Sequence, residues 1–244
     1  MSVPGEICVS IRRNLEVVQE RINRAARRAG RDPDDIHLMV VTKTHPVQII
    51  QCVIDEGIRD LGENYVEEAR NKILSLRQNH PSLWHMIGHI QSRKSSEVVR
   101  LFDFLHSLDS VRLAQRLNAF AIEQKKILPI LLEFNLSGEE SKSGWRPGME
   151  ENWDELLPDI EAIIYLSNVK VCGLMTMPPY FSNPEGARPY FRKLRHLREF
   201  FHRHLPTVEW KDLSMGMSSD YEVAIEEGAT WVRIGQAILG SRKP

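Results

Sequence analysis

Eight times along this sequence a short apolar run leads into a segment with helical spacing, and that alternation restricts the fold more than any other feature of the chain. The clearest run is the first, residues 37–46 (HLMVVTKTHP), where four apolar residues precede Thr42, Lys43 and Thr44 and a proline ends the strand. An unbroken run of this kind reads as a strand buried on both faces, the type that parallel sheets use. Further strands are expected at residues 58–61, 83–87, 102–106, 127–135, 169–174, 212–214 and 230–234. A helix ended by Gly30 is expected at 7–29, and others at 47–56, 65–76, 92–100, 110–125, 150–166, 184–204 and 219–227. Gly235-Gln236 opens a short last helix.

Such alternation fits either an open doubly wound sheet or a closed barrel. Eight units in 244 residues is the usual size of the barrel, and no G-x-G-x-x-G follows the first strand. The expected fold is therefore α/β, a single-domain (β/α)8 TIM barrel spanning 1–244. Its extra N-terminal helix would cover the barrel where the helix after the eighth strand is short.

The charge balance, 32 basic against 33 acidic side chains for a net −1, argues against a nucleic-acid or membrane partner. The basic stretch at 21–31 reads as the solvated face of an amphipathic helix. Cys8, Cys52 and Cys172 are too few and too scattered for a disulfide framework or a zinc site and fit a reducing compartment. With no membrane-length apolar stretch and no secretory signal, a cytoplasmic protein is expected.

In a barrel of this kind ligands meet the residues just past each strand. Here those residues are polar: Lys43, Glu63-Asn64, Gly88-His89, Ser107, Asn135, Met175-Thr176, residues 214–218 (SMGMS) and Arg233-Ile234-Gly235. The seventh and eighth exits are where barrels commonly hold phosphate, and Gly216, Ser218, Ser219 and Gly235-Gln236 supply close backbone approach, hydroxyls and N–H groups. Ser219 and Glu222 have capping-box spacing. A buried lysine beside a phosphate site suggests a Schiff base with a carbonyl substrate, as in aldolases, or with pyridoxal 5'-phosphate. Arg233 favours the cofactor, because it can meet a pyridine nitrogen that a sugar phosphate lacks. His85 and His89 lie across a strand and its turn and make poor metal ligands, and Gly216-Met217-Ser218 lacks the second glycine of a nucleophile elbow. Met175, Met177, Met215 and Met217 read either as packing around a flat ligand or as core.

Seven motifs in order resemble the YggS/PROSC pyridoxal phosphate homeostasis proteins, which share a barrel with the N-terminal domain of alanine racemase. They are VVTKTHP (40–46), LGENYVEEA (61–69), WHMIGHIQSRK (84–94), NLSGEESKSGW (135–145), GLMTMPP (173–179), LSMGMSSDYEVAIEEGAT (213–230) and VRIGQAILG (232–240). The resemblance implies the barrel class of pyridoxal phosphate folds, fold type III, with the cofactor as a Schiff base on Lys43. It also puts Asn64 beside the cofactor, Ser218 and the Gly235-Gln236 backbone on its phosphate, and Arg233 on its ring nitrogen. The candidate cofactor-binding set is completed by His85 and Met215. No residue is assigned a catalytic or metal-binding role. Gln236 departs from the small hydroxyl residue frequent in the family, so a side-chain hydrogen bond is lost there while the N–H remains.

The family is described as lacking established enzyme activity and as acting in vitamin B6 and amino-acid homeostasis. The chain stops ten residues after Ile234, whereas related racemases carry a further domain that closes the site. A monomeric, non-catalytic cofactor-binding protein serving pyridoxal phosphate-dependent apoenzymes is therefore expected. The alternatives are a weak amino-acid racemase using the cofactor and a Schiff-base aldolase.

Overall fold

The computed structural model describes residues 5–77 and 81–240. The expected domain span of 1–244 therefore reaches outside the described residues at both ends. Eight parallel strands close in sequence order: β1 (His37–Val41), β2 (Asp60–Glu63), β3 (Leu83–Met86), β4 (Phe104–Leu108), β5 (Leu128–Phe134), β6 (Val169–Thr176), β7 (Asp212–Ser214) and β8 (Trp231–Ile234). β8 returns to β1 with Ile234 opposite Val40, so the sheet has no open edge. The intervening helices are α2 (Val47–Asp55), α3 (Val66–Leu76), α4 (Ser95–Leu101), α5 (Val111–Glu123), α6 (Leu157–Ile164), α7 (Arg188–His204) and α8 (Tyr221–Glu226). The short α9 (Gln236–Leu239) follows β8, and α1 (Gly5–Arg28) precedes β1.

Alternation along each strand divides the interior into two parts. Val40, Leu61, Trp84, Leu105, Leu132, Leu213 and Val232 belong to the large apolar cluster shared with the helices, whereas Met39, Ile87 and Trp231 form a small second cluster. α1 buries Ile11, Leu15, Val18, Ile22, Ala25 and Ala26, the stripe that a 3.6-residue period aligns. It packs beside α2, α8 and α9, and Asn14 Nδ2 donates to the Ile238 carbonyl at 2.9 Å, so it covers the seam left by the short final helix as expected.

Five local expectations need correction. β2 starts later than expected and contains Gly62 and Glu63, because Gly62 faces Met39 so closely that a Cβ would sit 2.7 Å from its Sδ. β4 likewise begins at Phe104 rather than at 102. The helix expected over 150–166 is a 3₁₀ segment, Glu150–Leu156, followed by α6, with Pro158 in the first turn where its missing N–H breaks no hydrogen bond. The basic face of α1 is not merely solvated, since Arg21 and Arg28 pair with Glu222 and Glu226 of α8. Finally, Cys8 and Cys52 form a disulfide, contrary to the reading of scattered thiols. They are far apart in sequence, but α1 lies along α2 and brings their Cα atoms to 5.4 Å.

Candidate functional site

Lys43 sits half-buried in the turn after β1, and its neighbours on both sides are fixed by one charged cluster. Thr42 Oγ1 donates to Glu63 Oε1 at 2.6 Å, and Lys72 Nζ donates to the same oxygen at 2.7 Å and to the Thr42 carbonyl at 2.9 Å. On the other side the Thr44 N–H donates to Glu68 Oε1 at 2.5 Å, which Lys72 also reaches. Thr44 adopts a positive φ of 67°, a conformation unfavourable for a β-branched residue, and the Glu68 contact holds it there. Burial raises the Glu63 carboxyl above its ordinary range, and Lys72 opposes that rise.

Beside this turn, the exits of β7 and β8 are joined. Ser218 Oγ accepts from the Ala237 N–H at 3.2 Å. The backbone N–H groups of Ser218, Ser219, Gly235 and Gln236 have no hydrogen-bond acceptor among the described residues. Gly216, at φ 92°, lets this loop pass so close to α8 that a Cβ would lie 2.6 Å from that of Ala224. The expected capping box is absent: α8 is preceded by Asp220, whose Oδ1 accepts from the Met217 N–H at 2.6 Å and shapes the loop instead. The pairing of β8 with β1 sets Gly235 one residue beyond Ile234 and Lys43 three beyond Val40, on neighbouring strand ends.

Arg233 is buried inside the barrel, with Nη1 donating to Ser214 Oγ at 2.6 Å and Nη2 to the Thr176 carbonyl at 2.9 Å. Burial lowers its pKa to about 10, while Asp220 and Glu133 oppose the shift, so it remains charged near neutrality. At the end of β2, Asn64 Oδ1 is buried without a hydrogen-bond partner among the described residues. Gly88 packs against the Asn64 backbone so tightly that a Cβ would come within 2.3 Å of its carbonyl oxygen. An unpaired amide oxygen, unpaired N–H groups and a buried cation are the donors and acceptors that a phosphorylated, nitrogen-containing ring would satisfy.

Two of the expected residues do not join this mouth. His85 lies within β3 with both nitrogens engaged, Nε2 to Asp60 at 2.9 Å and Nδ1 to His106 at 3.1 Å, which leaves neither for a ligand. Met215 is fully buried in the large apolar cluster, so the core reading of its side chain prevails. Conversely, Glu133 near the end of β5 was not foreseen. Burial and then Asp109 push its carboxyl up to about 7, and Arg233 counters them. A lone carboxylate in the otherwise apolar β5 was the signal in the sequence.

The alanine racemase N-terminal domain model matches residues 13–243. The chain is 44% identical over 229 residues to the pyridoxal phosphate homeostasis protein of Aquifex aeolicus, covering 94% of this chain and 97% of the relative. It belongs to the pyridoxal phosphate homeostasis protein family. The Escherichia coli K12 member is 39% identical over 238 residues, covering 95% and 97% of the two chains. Among solved structures, this family member is similar to PipY of Synechococcus elongatus, determined with pyridoxal phosphate bound, at a TM-score of 0.81 and 31% identity over 94% of this chain and 100% of that one. A Clostridium difficile alanine racemase shares the fold at 17% identity and a TM-score of 0.69, covering 96% of this chain and 57% of that one.

Proposed function

We propose that this chain binds pyridoxal 5'-phosphate as a Schiff base on Lys43 and acts as a cofactor-binding protein in vitamin B6 and amino-acid homeostasis rather than as an enzyme with robust turnover. The observation that carries the reading is the joined β7 and β8 exit, whose unpaired N–H groups lie on the strand end next to that of Lys43. Ser218, Gly235 and Gln236 would bind the phosphate, Asn64 would lie beside the ring, and Arg233 would face its nitrogen. When bound, the cofactor supplies an aldehyde that condenses with amines and a ring that withdraws electrons. Arg233 keeps its own proton, so it donates a hydrogen bond to a ring nitrogen without protonating it. That arrangement limits the electron withdrawal on which chemistry at an amino acid's α-carbon depends. Release of the cofactor to pyridoxal phosphate-dependent apoenzymes, from a cytoplasmic monomer, belongs to the same proposal.

Glu133 favours a second reading, a weak racemase. A carboxyl poised near neutral pH at the barrel mouth is suited to moving a proton, and Lys43 would offer a base once released. A third reading, an aldolase using Lys43 directly, needs no cofactor.

The test is borohydride reduction of the cofactor-loaded protein followed by peptide mass spectrometry. The expected result is a reduced pyridoxyl phosphate adduct on the peptide containing Lys43, with no visible band and no adduct in Lys43→Ala. An adduct on another lysine, or none at all, overturns the proposal.

A further inference from the structure

Five polar side chains form a line through the barrel from the opening of β2 to the buried Arg233. Asp60 opens β2 with its side chain 22% exposed, whereas His85, His106, Ser214 and Arg233 are buried. Successive contacts are Asp60 Oδ1 to His85 Nε2 at 2.9 Å, His85 Nδ1 to His106 Nε2 at 3.1 Å, His106 Nδ1 to Ser214 Oγ at 2.9 Å and Ser214 Oγ to Arg233 Nη1 at 2.6 Å. Phe104 and Trp231 flank the two imidazoles, with ring centroids 4.6 Å and 5.6 Å from that of His106. Together they replace water around the chain with aromatic carbon.

The direction of these hydrogen bonds follows from the donors available. Arginine only donates, so Ser214 Oγ accepts from Arg233 and has its own hydrogen to give. Among the described residues, its acceptor is His106 Nδ1. Burial first, then His85 and Arg233, holds His106 well below the ordinary imidazole range, so its ring is neutral and carries one hydrogen. With Nδ1 accepting, that hydrogen is on Nε2 and is donated to His85 Nδ1. His85 in turn carries its hydrogen on Nε2 and donates to the Asp60 carboxylate, which only accepts. Every buried polar atom along the line is then satisfied, and each bond polarises the next.

We propose that Asp60, His85 and His106 are positioning residues that act through Ser214 on Arg233, forming a one-way relay whose carboxylate terminus keeps the Ser214 lone pairs turned toward the guanidinium. Its bearing on the cofactor rests on the reading that Arg233 faces the ring nitrogen. With an acceptor-only group at position 60 the relay cannot reverse. An amide there can donate as well as accept, so His85 and His106 can exchange tautomers and Ser214 Oγ, which Arg233 keeps as an acceptor, can take a second hydrogen from His106 Nδ1. The guanidinium then shares one of its two acceptors with His106, and its other holds are the Thr176 carbonyl and the charges of Asp220 and Glu133.

The experiment is long-range proton–nitrogen NMR of histidine-labelled full-length protein, without and with added pyridoxal 5'-phosphate. In the wild type both His85 and His106 are expected as the Nε2–H tautomer. In Asp60→Asn, His106 is expected to shift toward Nδ1–H although it does not touch residue 60, a change that lost packing would not produce. The same variant and Ser214→Ala should bind the cofactor about fivefold or more weakly, with a displaced absorption band. His106 found as Nδ1–H in the wild type, or unchanged in Asp60→Asn, overturns the relay. A wild type that keeps the expected tautomers but binds no pyridoxal phosphate overturns the functional reading alone.

Discussion

Lys72 donates to the main-chain oxygen of Thr42 at 2.9 Å, so a helix side chain braces the residue directly ahead of Lys43. The same ammonium neutralises Glu63, which has no solvent exposure.

Lys72→Met therefore leaves a buried carboxylate without its counter-ion and is expected to lower stability by about 3 to 5 kcal/mol. The Glu63 pKa is raised in the folded state, so its protonated form favours folding and its ionised form opposes it. The loss should be largest at pH 8 and shrink toward pH 5, as Glu63 takes up a proton. Urea denaturation at the two pH values measures it, and adding Glu63→Gln should recover part of the loss.

Ser218→Ala removes the acceptor for the Ala237 N–H together with a hydroxyl at the expected phosphate turn. One hydrogen bond to a charged group contributes about 1.5 to 3 kcal/mol, so affinity for pyridoxal phosphate should fall about 10- to 150-fold. Titration with pyridoxal beside its phosphate ester checks the assignment. Equal affinity of the wild type for the two ligands would count against an anion site there.

Glu133 has an ordinary carboxyl value of 4.5 and a folded value of about 7. The folded protein thus binds its proton more tightly than the unfolded chain, and stability falls as pH rises through that window. Glu133→Gln should match the wild type below pH 4.5 and exceed it above pH 7 by up to about 3 kcal/mol. Thermal unfolding from pH 4 to pH 8 tests both limbs.

The Cys8–Cys52 bridge spans 44 residues, and closing a loop of that length stabilises a fold by about 4 kcal/mol in the chain-entropy account. Thiol titration of denatured, unreduced protein should find one free cysteine, and Cys8→Ser should lower the denaturation midpoint. Three free thiols would remove the bridge.

If Arg233 restrains α-carbon chemistry, no common L-amino acid will be racemised or decarboxylated at an enzymatic rate. A chiral assay of the cofactor-loaded protein, with Lys43→Ala as control, measures this. Lys43-dependent turnover that disappears in Glu133→Gln would instead support the racemase reading.

The strand-and-helix rhythm was legible because each unit buries one stripe against the next, and periodicity records that directly. Lys43, Ser218 and Arg233 were legible as polar residues near strand ends. Gly62 falls outside the strand expected at 58–61, since a glycine that makes room for Met39 looks the same in sequence as one that bends the chain. His85 was assigned to the ligand and Ser214 was taken only as a strand end, because a strand buried on both faces does not reveal in sequence which of its polar residues will meet across the barrel. The Cys8–Cys52 pair was hidden for a similar reason, as it depends on how α1 lies against α2.

The closure of β8 onto β1 has a consequence for assembly. Lys43 belongs to the first strand's exit and the Gly235 turn to the last, with almost the whole chain between them. A partly folded intermediate can present the amine or the turn, but only a completed barrel presents both. A ligand that needs both stabilises the closed state by mass action, so under the proposed function cofactor loading would report whether the final strand has docked.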